Sequence, residues 1–264
     1  MRALILTDND GQLRDRDMLD LYDGFLSLGV PIKFYKKLDM SLNIDGSYPS
    51  KVLLQENDIV LGHVDMCRIA LKHFGIKEPK VLDYPPQLKQ YFHRSIRKMT
   101  SKQFIKILEE NEEFGKTYFV KPVMNKLFTG FCCVTRQEYE RQAFQVSNSA
   151  EVYVCSTIHF DAEYRIYVSN NKMSGVYRYW GDNWNAVVTG SQANELIDAL
   201  GEGMPVFYSI DAGVTDKGEL ALVECNDGYA LGNYGLSPGD YAKMSMERWQ
   251  EMICNGEKVD KIKP

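Results

Sequence analysis

Residues 205–227 read PVFYSIDAGVTDKGELALVECND, and this stretch decides the fold. Two apolar runs flank a polar turn at residues 215–218, which predicts a pair of neighbouring strands. Asp211 ends the first run, while Glu224 and Asn226 lie two residues apart on the second. Side chains two apart on a strand point to one face, so strand pairing would bring all three together.

Two carboxylates and an amide oxygen form an all-oxygen donor set, which suits Mg²⁺ bound to nucleotide phosphates. The sequence therefore predicts a magnesium site at Asp211, Glu224 and Asn226. The alternative is that acidic residues gather here only because the ends of strands are exposed to water.

Outward from this pair, the second half of the chain predicts an α+β domain with long antiparallel strands. The further strand-like segments are TYFVKP, FTGFCCVT, VYVCSTIHF, EYRIYVSN and MSGVYRYWG. Helical patterns cover residues 101–110, 136–145, 191–202 and 241–253. Residues 93–100, HRSIRKMT, are interpreted as a basic helical segment with Arg94 and Arg97 one turn apart.

The first third of the chain has a different pattern. The apolar runs RALILT, IKFY and DIVL alternate with amphipathic helical segments, and KVLDY is predicted as a further strand that Pro85 and Pro86 stop. Such alternation predicts a small open parallel sheet. We therefore expect an α/β domain at residues 1–92 and a second domain at 93–264.

Composition restricts the classes of partner. The 264 residues include 36 acidic and 31 basic ones, a formal net charge of −5, so no dedicated nucleic-acid surface is expected. The N-terminal segment is not typical of a signal peptide, and apolar runs stay well short of the ~20 residues that span a bilayer. These features predict a cytoplasmic protein without a membrane segment.

Four segments, FVKP, EYRIYV, SIDAGV and LVECNDG, occur in an order that resembles the strand motifs of ATP-grasp proteins. The resemblance implies a pre-ATP-grasp domain at 1–92 and a two-lobed ATP-grasp domain at 93–264, with ATP and Mg²⁺ between the lobes. HRSIRKMT, FVKPVMNKLFTGF, NDGYALGNYGL and the ERWQEM helix are similar to one bacterial and phage clade. In that clade arginine replaces the first nucleotide-binding lysine.

The resemblance assigns roles to several cationic residues. Lys121 would contact the α-phosphate, Lys126 would lie on the loop that closes over the phosphates, and Arg94 would be the substituted arginine, with Arg97 as the alternative. An arginine can take a lysine's place because it offers planar, bidentate donors to phosphate. Without the resemblance, these side chains read as solvated basic surface.

The resemblance also assigns the adenine and phosphoryl contacts. Glu151, Tyr153 and Val154 resemble the strand that links the lobes and reads the adenine edge, and Ser156 stands where many family members have an acid. Glu163 and Arg165 share one strand face and match a Glu-x-Arg pattern that reaches phosphate; the alternative is a structural ion pair. Arg178 is a second candidate for contact with the transferred phosphoryl group.

These inferences favour an ATP-dependent ligase that joins a carboxylate to an amine through an acyl phosphate. The substrates, small molecules or peptides, would lie near Arg178 and residues 226–235. Two alternatives remain at this point: a phosphotransferase, and a non-catalytic nucleotide-binding module.

Overall fold

The computed structural model describes residues 1–37, 54–55, 57–110, 115–124 and 127–259. Its elements form one parallel and two antiparallel sheets, which confirms the predicted fold class. No helix within these ranges is both long and apolar enough to cross a membrane.

The parallel sheet lies in the first third of the chain, in the order β2-β1-β3. Its elements are β1 Arg2–Thr7, α1 Arg16–Ser27, β2 Ile32–Lys36, β3 Asp58–Leu61 and α2 Val64–His73. The run RALILT is almost wholly buried, as expected for a central parallel strand covered on both faces. Asp15 begins α1 by accepting a hydrogen bond from the Met18 backbone N–H, at 3.2 Å.

The prediction of a strand at KVLDY is wrong. Residues 80–84 form no strand of the parallel sheet; instead Asp83 makes an isolated antiparallel bridge to Cys225 in the second half of the chain. Asp83 has a φ of 40°, and two prolines follow Tyr84, so the backbone cannot continue as a ladder. A 3₁₀ helix at Pro86–Tyr91 then leads into the second half.

The first antiparallel sheet has the order β4-β7-β5-β6. Its elements are β4 Ile96–Thr100, α3 Ser101–Glu110, β5 Tyr118–Pro122, β6 Phe131–Cys133, α4 Arg136–Gln142 and β7 Glu151–Ser156. The helical interpretation of HRSIRKMT is wrong, because β4 pairs with β7 and sets Arg97 opposite Val154. Pairing with a neighbouring strand overrides the local pattern here.

The second antiparallel sheet has the order β11-β10-β8-β9. Its elements are β8 Phe160–Ser169, β9 Lys172–Trp180, α5 Gly190–Leu200, β10 Phe207–Thr215 and β11 Leu220–Asp227. The turn between β8 and β9 uses Asn170 and Asn171, both at positive φ, which suits a tight hairpin. Tyr164, Ile166 and Val168 face a core that includes residues of α5, so Arg165 points to the other face.

The closing helix, α6 Pro238–Asn255, completes the core of the parallel sheet. Trp249 is buried there, and its indole N–H donates to the Asp58 carbonyl at 2.8 Å. Where α6 meets α1, a Cβ on Gly24 would collide with the Pro238 carbonyl oxygen. Residues from both sides of position 92 therefore share this core, and the division into 1–92 and 93–264 remains a prediction.

Candidate nucleotide and metal site

Three oxygen-bearing side chains meet on one face of β10 and β11. Asp211 lies directly opposite Glu224 in the strand register. The Asn226 amide donates to Asp211 Oδ2 at 3.3 Å and to Glu224 Oε1 at 3.1 Å. The structure thus brings together the three predicted metal ligands, and Asp211 is only 2% exposed.

Two cations pair with these carboxylates. The Arg165 guanidinium donates Nε to Asp211 Oδ1 at 2.8 Å and Nη2 to Asp211 Oδ2 at 2.6 Å. The Lys121 ammonium donates to Glu224 Oε2 at 2.5 Å and to Asp83 Oδ1 at 2.6 Å. Lys121 comes from the first antiparallel sheet and Glu224 from the second, so this ion pair joins the two sheets across a cleft.

Asp83 and Tyr84 are site residues that the sequence analysis missed. The Cys225 N–H donates to the Asp83 carbonyl at 2.7 Å, which fixes Asp83 beside the strand that carries Glu224. The Tyr84 ring lies edge-on to Tyr153, with ring centroids 5.0 Å apart. The one available signal was an Asp-Tyr pair between an apolar run and two prolines, which does not point to a site by itself.

Burial is the main influence on the carboxylates of the cleft. Burial raises the pKa of Asp211, against the opposing effect of the Arg165 guanidinium, and it also raises those of Asp83 and Glu163. Burial alone would raise the pKa of Glu224 as well, but the Lys121 ammonium outweighs it and lowers that pKa. A divalent cation would offset the charge that these crowded carboxylates carry.

The donor set fits a metal that is shared with a ligand. Among the described residues, no three His, Cys, Asp or Glu side chains are arranged to hold a metal ion. Two carboxylates and one amide supply fewer oxygens than the octahedral coordination of Mg²⁺ requires, so some coordination positions remain open. Mg²⁺ is commonly held in this way, by one or two carboxylates with phosphate oxygens and waters in the remaining positions.

A cavity of about 180 Å³ opens between the two antiparallel sheets beside this cluster. Aromatic rings of Tyr84, Phe119 and Phe160 line it, together with the carboxylates of Glu163 and Glu224. Residues 156–158, at the end of β7 and just after it, form part of its wall. Apolar walls with a few polar groups are typical of a site for a planar heterocycle.

Comparisons with known proteins identify the family. The model of the ATP-grasp domain of R2K clade family 2 matches residues 91–244, more than half of the chain. This chain belongs to the R2K clade of ATP-grasp proteins. No curated protein matches it in sequence.

Several solved structures have a fold similar to that of this R2K-clade chain. D-cycloserine synthetase is 12% identical with a TM-score of 0.53, over 94% of this chain and 100% of that one. The RimK domain ATP-grasp protein from Sphaerobacter thermophilus is 16% identical with a TM-score of 0.52, over 95% and 100%. D-alanyl-alanine synthetase A from Vibrio cholerae is 13% identical with a TM-score of 0.52, over 97% and 98%. At these identities the likeness concerns the fold.

In this R2K-clade chain, Arg94 lines the cavity, and its guanidinium already donates hydrogen bonds to two backbone carbonyls. Its Nη1 donates to the Leu222 carbonyl at 2.6 Å and its Nη2 to the Val223 carbonyl at 2.9 Å. The guanidinium also lies 5.7 Å from the centre of the Tyr84 ring. Arg97 is exposed on β4 and does not line the cavity. Of the two arginines, Arg94 is the one the structure brings to the candidate site.

The predicted adenine-contact residues lie along β7 at differing distances from the cavity. Glu151 begins the strand, is exposed, and pairs with Lys98 at 2.8 Å. Val154 is buried, while Tyr153 is half-buried against the ring of Tyr84. The cavity instead begins at Ser156, five residues beyond Glu151, or roughly 16 Å along an extended strand. Glu151 is therefore not brought together with the cluster.

Arg178 also lies apart from the carboxylates, in contrast to the predicted phosphoryl contact. It pairs in register with Tyr164, whose side chain packs on the core side of the sheet. Its donors reach the Tyr164 hydroxyl at 2.9–3.0 Å and the carbonyls of Asn183 and Ala186 at 2.7 and 2.9 Å. Strand alternation explains this, because residue 178 points away from the face that carries Arg165.

Glu163 lies on the cleft face, as its alternation with Arg165 predicts. The Tyr179 hydroxyl donates to Glu163 Oε2 at 2.7 Å, and the Tyr179 ring stacks on Tyr234 with centroids 5.1 Å apart. The Arg165 guanidinium lies 4.5 Å from the centre of the Tyr234 ring. The two tyrosines therefore hold the Glu-x-Arg pair in place. Lys126 lies outside the described residues, so its predicted role stays a prediction.

Proposed function

We propose that this protein is an ATP- and Mg²⁺-dependent ligase that joins a carboxylate to an amine through an acyl phosphate. The observation that carries the proposal is the cluster of Asp211, Glu224 and Asn226, paired with cations from both antiparallel sheets. Membership of the R2K clade of ATP-grasp proteins and the overall fold agree with it.

The nucleotide would lie in the cleft between the sheets. The aromatic rings that line the 180 Å³ cavity would sandwich the adenine, and the backbone at residues 156–158 would hydrogen-bond its edge. Glu163, in the same cavity, is suited to accept hydrogen bonds from ribose hydroxyls. Lys121 would then contact the phosphates, because its ammonium lies at the junction of the cavity and the carboxylate cluster.

Asp211, Glu224 and Asn226 would hold Mg²⁺ together with the phosphate oxygens. The Asn226 NH₂ bridges the two carboxylates, so its amide would rotate to offer oxygen to the metal. The metal would supply charge compensation for the phosphates. Arg165 orients the Asp211 carboxylate and favours its ionised form, which would make Arg165 a positioning residue in this arrangement.

The proposed reaction has two steps that balance. A substrate carboxylate oxygen attacks the γ-phosphorus and ADP leaves, which gives an acyl phosphate. The amine nitrogen then attacks the acyl carbon, the C–O bond to phosphate breaks, and the amine loses a proton. Pre-organised charge and positioning can drive both steps without an enzyme nucleophile.

Residues 228–236 are the best-supported wall for the carboxylate and amine substrates. The Gly232 carbonyl of this loop accepts from Arg165 at 3.3 Å and from the Tyr167 hydroxyl at 2.7 Å. The loop therefore borders the carboxylate cluster, whereas Arg178 does not. Tyr234 in the loop is 47% exposed, so its ring is available to a substrate.

Product analysis tests the proposal. The protein is incubated with ATP, Mg²⁺ and pools of carboxylic acids, with hydroxylamine as a generic amine. Equal amounts of ADP, phosphate and a hydroxamate are expected, and Glu224→Gln should give none of the three. ADP without free phosphate, together with a phosphorylated product, would instead identify a kinase. Nucleotide binding without any turnover would identify a non-catalytic binding module.

A further inference from the structure

Asp83 lies outside the strands of both antiparallel sheets, yet its side chain is buried against Lys121. It is 3% exposed, yet one of its two carboxylate oxygens has no partner: among the described residues, Oδ2 is buried without a hydrogen bond. An ionised oxygen without a partner is costly to bury, so each such group in a protein calls for an explanation.

The backbone holds Asp83 in this position at some cost. Its φ of 40° is in the left-handed region, which aspartate and asparagine tolerate better than most residues. Its carbonyl accepts the Cys225 N–H at 2.7 Å, so its position is fixed relative to Glu224 on the same strand. Asp83 Oδ1 then accepts from the Lys121 ammonium at 2.6 Å.

Lys121 thus has two anions where one would satisfy a salt bridge. Its side chain is 13% exposed and lies between Asp83 Oδ1 and Glu224 Oε2. Each oxygen of Glu224 already has one partner, since Oε1 accepts from Asn226 and Oε2 from Lys121. Rotation of the Asn226 amide would free Oε1 for a metal, and a cation bound there would repel the ammonium beside Oε2.

We propose that Asp83 positions Lys121, by holding the ammonium in the cleft while the Glu224 carboxylate turns from the lysine to the metal. This inference rests on the proposed nucleotide and metal function. The unpartnered Oδ2 gives Asp83 the capacity to accept a second hydrogen bond from the ammonium when Glu224 gives up its own. Asp83 acts through Lys121 and contacts neither the metal nor the phosphates.

A double-mutant cycle tests this inference. Calorimetry would measure the affinity of the full chain for Mg²⁺ with a nonhydrolysable ATP analogue in the parent, Asp83→Asn, Lys121→Met and the double variant. Asparagine keeps the shape and tolerates the backbone conformation, but it lacks the charge. Asp83→Asn should weaken binding about tenfold, the effect expected for losing a charged hydrogen bond. In the Lys121→Met background the same change should alter affinity by less than about twofold.

Three results would overturn the inference: unchanged or tighter binding by Asp83→Asn, or an equal loss in both backgrounds. An equal loss would mean that Asp83 acts without Lys121, for example as a metal ligand. Absence of binding by the parent protein would instead contradict the proposed function, so the two failures are distinguishable.

Thermal unfolding provides a second readout, which holds even if Asp83→Asn alone folds poorly. Lys121→Met leaves Asp83 as a buried anion without a cation, so adding Asp83→Asn should raise the melting temperature of that variant. A lower melting temperature in the double variant would contradict the inference. Asp58→Asn is the matched control, because Asp58 is equally buried and bonded to Arg2 at 2.8 and 3.0 Å. It should reduce stability and leave nucleotide affinity unchanged.

Discussion

Replacement of Arg165 by methionine would leave the Asp211 carboxylate buried without its cation. In the protein the guanidinium donates two nearly parallel hydrogen bonds to that carboxylate, at 2.8 and 2.6 Å. The two side chains are only 10% and 3% exposed, so water screens the pair weakly. Methionine fills much of the same volume, which leaves lost charge as the main effect. Removal of one partner from a buried ion pair costs about 3–5 kcal/mol, so we expect a loss of about 4 kcal/mol in the free energy of unfolding.

Urea unfolding, followed by circular dichroism and tryptophan fluorescence, measures this loss. The matched variant Arg165→Met/Asp211→Asn removes both charges and should regain about 2 kcal/mol relative to Arg165→Met, as coupled neighbours do. Control unfolding of Asp211→Asn alone completes the cycle. If Arg165→Met stays within about 1 kcal/mol of the parent, the pair is not held in a weakly screened environment. If the losses in free energy of unfolding of the two single variants simply add up in the double variant, the two charges are not coupled, and this too would refute the reasoning.

Three further predictions concern the metal site, the helix interface and Arg178. Glu224→Gln should lower Mg²⁺-dependent ATP turnover, measured by phosphate release, about a hundredfold or more. Glu219→Gln, at the turn between β10 and β11, is the control and should leave that rate unchanged. A normal rate in Glu224→Gln would mean that Glu224 is not a metal ligand. Gly24→Ala should cost about 1–3 kcal/mol of stability, because its methyl group would meet the backbone of α6. Gly239→Ala is its control, since a methyl group there would meet only the Ser27 hydroxyl oxygen, at 3.7 Å. Equal melting temperatures of the two variants would contradict the close approach at Gly24. Arg178→Met should lower the melting temperature without changing nucleotide affinity, and a weaker affinity by calorimetry would return Arg178 to the site.

Some features of the candidate site followed from short-range patterns. Alternation along a strand predicted that Glu163 and Arg165 share a face, and the hairpin around residues 215–218 predicted the approach of Asp211 to Glu224. The same rule did not tell which face of β9 Arg178 occupies, because the register between β8 and β9 depends on bulges that the sequence does not mark. The order of the strand motifs predicted the ATP-grasp family, which the family model confirms.

The interpretation of residues 93–100 as a helix shows where local patterns fail. Residues 96–100 of this segment form a strand because β7, more than fifty residues later, offers a partner for their backbone. The prediction of a strand at KVLDY fails for a related reason, since Asp83 bridges to Cys225 on the distant strand β11. In both cases a distant strand decides the local conformation.

The sequence by itself determined the small parallel sheet, the antiparallel hairpin and the three oxygen donors, because each depends on a periodicity or a turn within a few residues. Only the tertiary structure decided that Asp83 and Glu224 share the Lys121 ammonium across separations of 38 and 103 residues. Contacts of that kind form when separate sheets pack around one buried charge, and the energy that selects them comes from burial and ion pairing rather than from any local pattern.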